Sequence, residues 1–149
     1  MLVWRLTKPA HAPGLDGEGA RLWGGRWNSP GVGMVYCATS LAPAALEMLV
    51  HLPPAMRRAG ALPVRVAVGL DVPDDQIGPL NLNLLPDDQD ACRIWGNQWI
   101  ASQSGLAMVV QSMVIKQERN VLLNPAHPAM ADVRVISQEP FIFDDRLQG

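Results

Sequence analysis

A chain of 149 residues, 48% hydrophobic and 17% charged, has the make-up of one globular domain with a buried core, not of a disordered segment. The formal charge of −2 and the scattered basic residues, with Arg57-Arg58 the one adjacent pair, argue against nucleic-acid binding, which needs clustered cations to displace counterions. No apolar run approaches the roughly 20 residues that span a bilayer, and MLVWRLTKPAH lacks the zones of a signal peptide, so a cytoplasmic protein without membrane association is expected.

Thirteen glycines and thirteen prolines predict short elements and much loop. Leu2 to Leu6 reads as a short apolar strand. The glycine-rich stretch that follows, through GLDGEGARLWGGRWNSPG, reads as irregular. Met34 to Ala38 (MVYCA) is a second strand between turn signals. Ser40 then stands as an N-cap for a helix over Leu41 to Leu52, with Pro43 tolerated in its first turn. At about 100° per residue, Leu41, Ala42, Ala45, Leu46, Met48, Leu49 and Val50 fill a broad apolar arc. Pro43, Ala44, Glu47 and His51 share the narrow remainder, which predicts that Glu47 points away from the helix's main packing surface.

Leu62 to Leu70 alternates valines with Arg65, Ala67 and Gly69, as a half-buried strand does. Asp90 to Ser102 is a predicted helix with Trp95 and Trp99 stacked one turn apart. Leu106 to Ile115 reads as a central strand, interrupted by Gln111 and Ser112. Val133 to Ser137 and Phe141 to Phe143 read as two short closing strands. Strands outnumber helices without alternating regularly with them. The prediction is a single α+β domain over residues 1–149, with central mixed β-sheets and flanking helices.

Several familiar chemistries fail on inspection. Gly17-Glu18-Gly19 is followed by Leu22 where a dinucleotide fingerprint needs glycine. No glycine run leads into a Walker-type lysine, and Ser102-Gln103-Ser104-Gly105 is not a nucleophile elbow. His11, His51 and His127 lack ligand spacing, so no metal site is expected. Cys37 and Cys92 have no CxxC spacing and read as thiols in packed sites. The segment GGRWNSPG is harder to set aside. Its glycines permit close backbone approach, and Arg26 could grip a phosphate in a bidentate fork. A tight turn whose arginine pairs with a structural carboxylate would use the same residues, and both readings stay open.

The order GGRWNSPG, VYCATSLAPAALEMLVHL, VVQSMV, ERNVLLNPAHP resembles the RES domain, named for its arginine, glutamate and serine, and matching runs extend to the FIFDDRL tail. The resemblance implies a toxin of a bacterial toxin–antitoxin pair with a fold similar to ADP-ribosyltransferases, acting on NAD as substrate. It implies an Xre-type helix-turn-helix antitoxin as partner, and it allows a homodimer within that complex. The family's arginine falls on Arg26, its tyrosine on Tyr36, its glutamate on Glu47 and its serine on Ser112, where Gln111 stands in place of the family's usual proline. Arg26, Glu47 and Ser112 are thus the expected catalytic residues, with Trp27, Asn28, Tyr36 and His51 joining Arg26 and Glu47 in substrate binding.

Cleavage of the nicotinamide–ribose bond develops oxocarbenium character, which a carboxylate such as Glu47 stabilises. Tyr36 is expected to stack on the nicotinamide ring, and the Ser112 hydroxyl needs a partner in its apolar strand. The Asn124-Pro125-Ala126-His127-Pro128 turn reads as structural. The leading expectation is NAD degradation by hydrolysis or phosphorolysis. The alternatives are protein ADP-ribosylation, a non-catalytic antitoxin-binding module, and an RNA-cleaving toxin, against which the missing basic stripe speaks.

Overall fold

The computed structural model describes residues 1–58, 62–78 and 87–147. Its sheet is organised around β1 (Leu2–Thr7), which pairs antiparallel with β2 (Val35–Ala38) on one side and β3 (Arg65–Asp71) on the other. Further out lie β4 (Ile77–Gly78), β5 (Ala107–Gln111), β6 (Arg119–Leu123) and β7 (Arg134–Phe141). Among the described residues, seven strands run in the order β4-β5-β6-β2-β1-β3-β7. Among these residues only β4 and β5 pair in parallel, so the sheet is mixed. The helices are α1 (Glu18–Trp23), α2 (Leu41–His51), α3 (Pro54–Arg58) and α4 (Gln89–Ser102). The α+β prediction holds, with one mixed sheet. No helix among the described residues is long and apolar enough to cross a membrane.

Alternation along the strands splits the apolar side chains between two cores. Val3, Val35, Cys37, Val68, Leu70, Val121 and Leu123 pack on one face. Met34, Val110 and Leu122 pack on the other, with Tyr36 and Met108 beside them, beneath Trp27 and the α4 residues Cys92 and Trp99. Trp95 and Trp99 stack as expected, with centroids 6.4 Å apart and planes 6° from parallel. Both cysteines are buried thiols.

Four expectations need correction. The stretch read as irregular contains α1, whose Arg21 makes a bidentate pair with Glu18 one turn earlier. The predicted strand over Leu106 to Ile115 stops at Gln111, because the Ser112 hydroxyl accepts the Val114 and Ile115 amide protons (3.2 and 3.1 Å) and turns the chain into β6. The two predicted closing strands are one, β7, running straight through Pro140; as an edge strand it is free to carry a residue without an N–H. Ser40 occupies the N-cap position of α2 but makes no side-chain capping bond.

Candidate functional site

The site is assembled from a turn, a helix and two strands. In the turn, the Gly25 amide donates to the Asn28 carbonyl at 3.0 Å, which places Arg26 and Trp27 at its two central positions. Gly25 is required there: a Cβ would lie 2.6 Å from the Tyr36 hydroxyl. That hydroxyl, carried by β2, donates to Asn28 Oδ1 at 2.6 Å and accepts the Trp27 amide proton at 3.0 Å. Asn28 is wholly buried, and its Nδ2 donates to the carbonyls of Ala20, Ser29 and Val32.

Helix α4 clasps the turn from above. Arg93 Nε donates to the Gly25 carbonyl at 3.0 Å, and Asn97 exchanges two 2.9 Å bonds with Ser29. Gly96 lies so close to the Trp27 carbonyl that any side chain would overlap it. Held this way, Arg26 is half-buried, hydrogen-bonded to the Cys92 thiol and near enough to the Tyr36 phenol to act on it electrostatically, and it makes no ion pair among the described residues. The structure therefore has the tight turn but not the structural carboxylate that would have occupied the arginine. Burial pushes the Tyr36 phenol up to about 12 against the opposing effect of the Trp27 amide bond and of Arg93 and Arg26, so it stays neutral.

Glu47 enters from α2, and here the predicted orientation is corrected. Its carboxylate reaches the sheet at Ser112 and Asn120, and Pro43 on the same face is buried, while Ala42 and Val50, assigned to the apolar arc, are exposed. Glu47 Oε1 accepts from the Ser112 hydroxyl at 2.8 Å and from Asn120 Nδ2 at 2.9 Å. No donor among the described residues reaches Oε2. Ser112 itself is 1% exposed; its oxygen accepts two amide protons and its own proton goes to Glu47. The partner that the sequence demanded for this hydroxyl is Glu47.

Strand register joins the two halves. Tyr36 lies opposite Leu122, and Ala38 opposite Asn120. Asn120 and Tyr36 are therefore diagonal neighbours on one face of the sheet, about 7–8 Å apart at their Cα atoms. The carboxylate and the Arg26 turn thus stand on the same face, one held through Asn120 and the other through Tyr36. Cationic side chains near Tyr36 and an anionic one near Asn120 suit a ligand with phosphates at one end and hydroxyls at the other.

Of the predicted residues, Glu47 and Ser112 meet directly, and Tyr36, Trp27, Asn28 and Arg26 form a second group. Trp27 is 4% exposed and packs edge-on against Trp95 at 5.5 Å, and Asn28 has every side-chain polar atom engaged within the protein. Both hold the turn. His51 ends α2, exposed, with no side-chain hydrogen bond or ion pair among the described residues. The Asn124–Pro128 turn is built as expected: Asn124 is buried and donates to the Ile100 carbonyl, and His127 Nδ1 accepts the Ala129 amide. Sequence reasoning missed Asn120, Arg93 and Asn97. Asn120 had one visible signal, an amide directly before the apolar run Val121-Leu122-Leu123; the other two are polar positions on a helix surface and carried none.

A family model described as "RES domain" matches residues 2–144 of the chain. The chain is 36% identical to the "Prs ADP-ribosylating toxin" of Sphingobium sp. (strain YBL2), covering 97% of this chain and 94% of the relative. It is 33% identical to "Toxin Res" of Photorhabdus laumondii, covering 99% and 97%. In fold it is similar to a chain of the M. tuberculosis MbcT–MbcA toxin–antitoxin complex, with a TM-score of 0.65 at 20% identity over 94% of this chain and 83% of that one.

Proposed function

The chain belongs to the RES domain family, and on that premise we propose that it is the toxin of a toxin–antitoxin pair, an enzyme that breaks the nicotinamide–ribose bond of NAD. The observation that carries the reading is the Glu47 carboxylate, held through Oε1 by Ser112 and Asn120 with Oε2 left for a ligand. As the C1′–N bond of the nicotinamide ribose breaks, its electron pair leaves with nicotinamide and positive charge grows on the sugar. A fixed carboxylate opposite that charge lowers the barrier, and its two donors remove the cost of orienting it during the reaction. Ser112 acts by aiming Glu47. Its proton points at the carboxylate and its oxygen already accepts two amides, so it is poorly placed as a nucleophile. Arg26, free of a carboxylate partner among the described residues, takes the pyrophosphate.

Water as acceptor yields ADP-ribose and a proton; inorganic phosphate yields ADP-ribose 1″-phosphate. The second reading, transfer of ADP-ribose to a protein, is favoured by the name of the Sphingobium relative. The experiment is to incubate purified, antitoxin-free protein with NAD, with and without phosphate and cell protein, and to follow products by mass. Nicotinamide release lost in Glu47→Ala supports the reading; the ADP-ribose found free, phosphorylated or protein-bound identifies the acceptor. NAD left intact by folded protein sinks it. The partner in this reading is an Xre-type helix-turn-helix antitoxin, with the toxin paired in a homodimer inside the complex, and the site of action is the cytoplasm. DNA contact belongs to the antitoxin, since this chain has a net charge of −2 and no basic stripe.

A further inference from the structure

The Asn120 side-chain oxygen, Oδ1, is buried and has no hydrogen-bond partner among the described residues. Its orientation is not open to reversal: with the amide turned over, Oδ1 would face the Glu47 carboxylate oxygen, acceptor against acceptor, and the 2.9 Å bond from Nδ2 would be lost. Oδ1 is therefore aimed away from Oε1 yet tied to it, no more than about 5 Å distant, because an amide's nitrogen and oxygen share one carbon. Strand β6 fixes the place, since Asn120 sits between Ala38 of β2 and Val110 of β5. Other buried side-chain atoms without partners among the described residues belong to Arg5 and Arg57, and no hydrogen bond ties either to Glu47. An unmet buried acceptor is costly, and here it stands beside a carboxylate whose second oxygen also lacks a donor.

Two neighbouring acceptors ask for two neighbouring donors. Resting on the reading of this pocket as an NAD-cleaving site, we propose that Asn120 Oδ1 and Glu47 Oε2 together recognise the vicinal diol of the ribose that carries nicotinamide, each accepting one hydroxyl proton. A diol offers two O–H groups on adjacent carbons and places no negative charge against Glu47. The contact also brings Glu47 alongside the anomeric carbon, so recognition and catalysis use one geometry. Asn120 is then a specificity-determining residue as well as one that positions the carboxylate.

The test separates these two parts. Nicotinamide release is measured as kcat/KM for wild type and Asn120→Leu, on NAD and on analogues lacking the 2′- or the 3′-hydroxyl of the nicotinamide ribose. Loss of the Nδ2 bond to Glu47 affects every substrate alike, whereas loss of Oδ1 affects only a substrate that carries the matching hydroxyl. The variant's loss on NAD should exceed its loss on one deoxy analogue by about tenfold, the worth of one buried hydrogen bond. Asn120→Ala repeats the measurement if the leucine variant does not fold. Equal losses on all three substrates would leave Asn120 a positioning residue only and overturn the proposal. Coupling instead to the 3-acetylpyridine analogue, which lacks the carboxamide N–H donors, would assign Oδ1 to the leaving group and overturn it too. A wild-type protein that leaves NAD intact removes the underlying reading with the inference; an active one without coupling removes the inference alone.

Discussion

Tyr36 and Asn28 are joined by a 2.6 Å hydrogen bond in which the phenol donates to the amide oxygen, and the same phenol oxygen accepts the Trp27 amide proton. One side chain on the sheet thereby holds both the Trp27 backbone and the Asn28 side chain of the turn that carries Arg26.

Removing that hydroxyl in Tyr36→Phe leaves the Asn28 oxygen and the Trp27 N–H short of partners inside the protein. The expected cost is about 1–3 kcal/mol, seen in thermal unfolding as a fall of roughly 2–4 °C per kcal/mol. Nicotinamide release should fall as well, because Arg26 loses its fixed seat. Wild-type stability in this variant would show that the phenol does not hold the turn.

Gly96→Ala drives a methyl group into the Trp27 carbonyl, which belongs to rigid backbone. We expect destabilisation of about 3 kcal/mol and loss of activity. Gly19→Ala is the contrast: its Cβ meets nothing within 4 Å, and the position is helical. That change should raise stability by about 0.5–1 kcal/mol in denaturant unfolding.

Glu47→Gln and Ser112→Ala should part company. The glutamine keeps the carboxylate's shape but not its charge, so nicotinamide release should drop by about 10²–10³ with a near-normal fold. The alanine strands the Val114 and Ile115 amides, so it should cost about 1–3 kcal/mol of stability while lowering the rate less than Glu47→Gln. Equal rate losses would mean that the serine hydroxyl touches substrate.

Alkaline pH should weaken the fold. Burial, opposed by Arg5, pushes the Cys37 thiol from 9.0 up to about 11, and burial pushes the Tyr36 phenol from 10.0 up to about 12. Each group keeps its proton longer folded than unfolded. Their stabilisation is complete below about pH 9 and is lost as pH climbs through 9–12, by roughly 2–3 kcal/mol for each group. Urea unfolding between pH 8 and 11 measures the slope, which Cys37→Ala should flatten between 9 and 11; an unchanged slope would place the titration elsewhere.

Local pattern in the sequence was enough for most strands, for α2 and α4, and for the α+β class, because alternation and helical spacing are written in neighbouring residues. The motif order was enough for the family, and it singled out Arg26, Tyr36, Glu47 and Ser112 as candidates. The facing of Glu47 was not legible. Helical periodicity records which side chains are apolar; which face meets the sheet depends on whether a carboxylate finds donors there. Those donors, Ser112 and Asn120, lie 65 and 73 residues further along the chain. The same distance hid Asn120, whose amide has meaning only beside that carboxylate. It also hid the grip of Arg93 and Asn97 on the turn, 68 residues away. Tertiary structure decided these because half-buried polar groups are placed by the partners that satisfy them, and those partners come from other strands and helices.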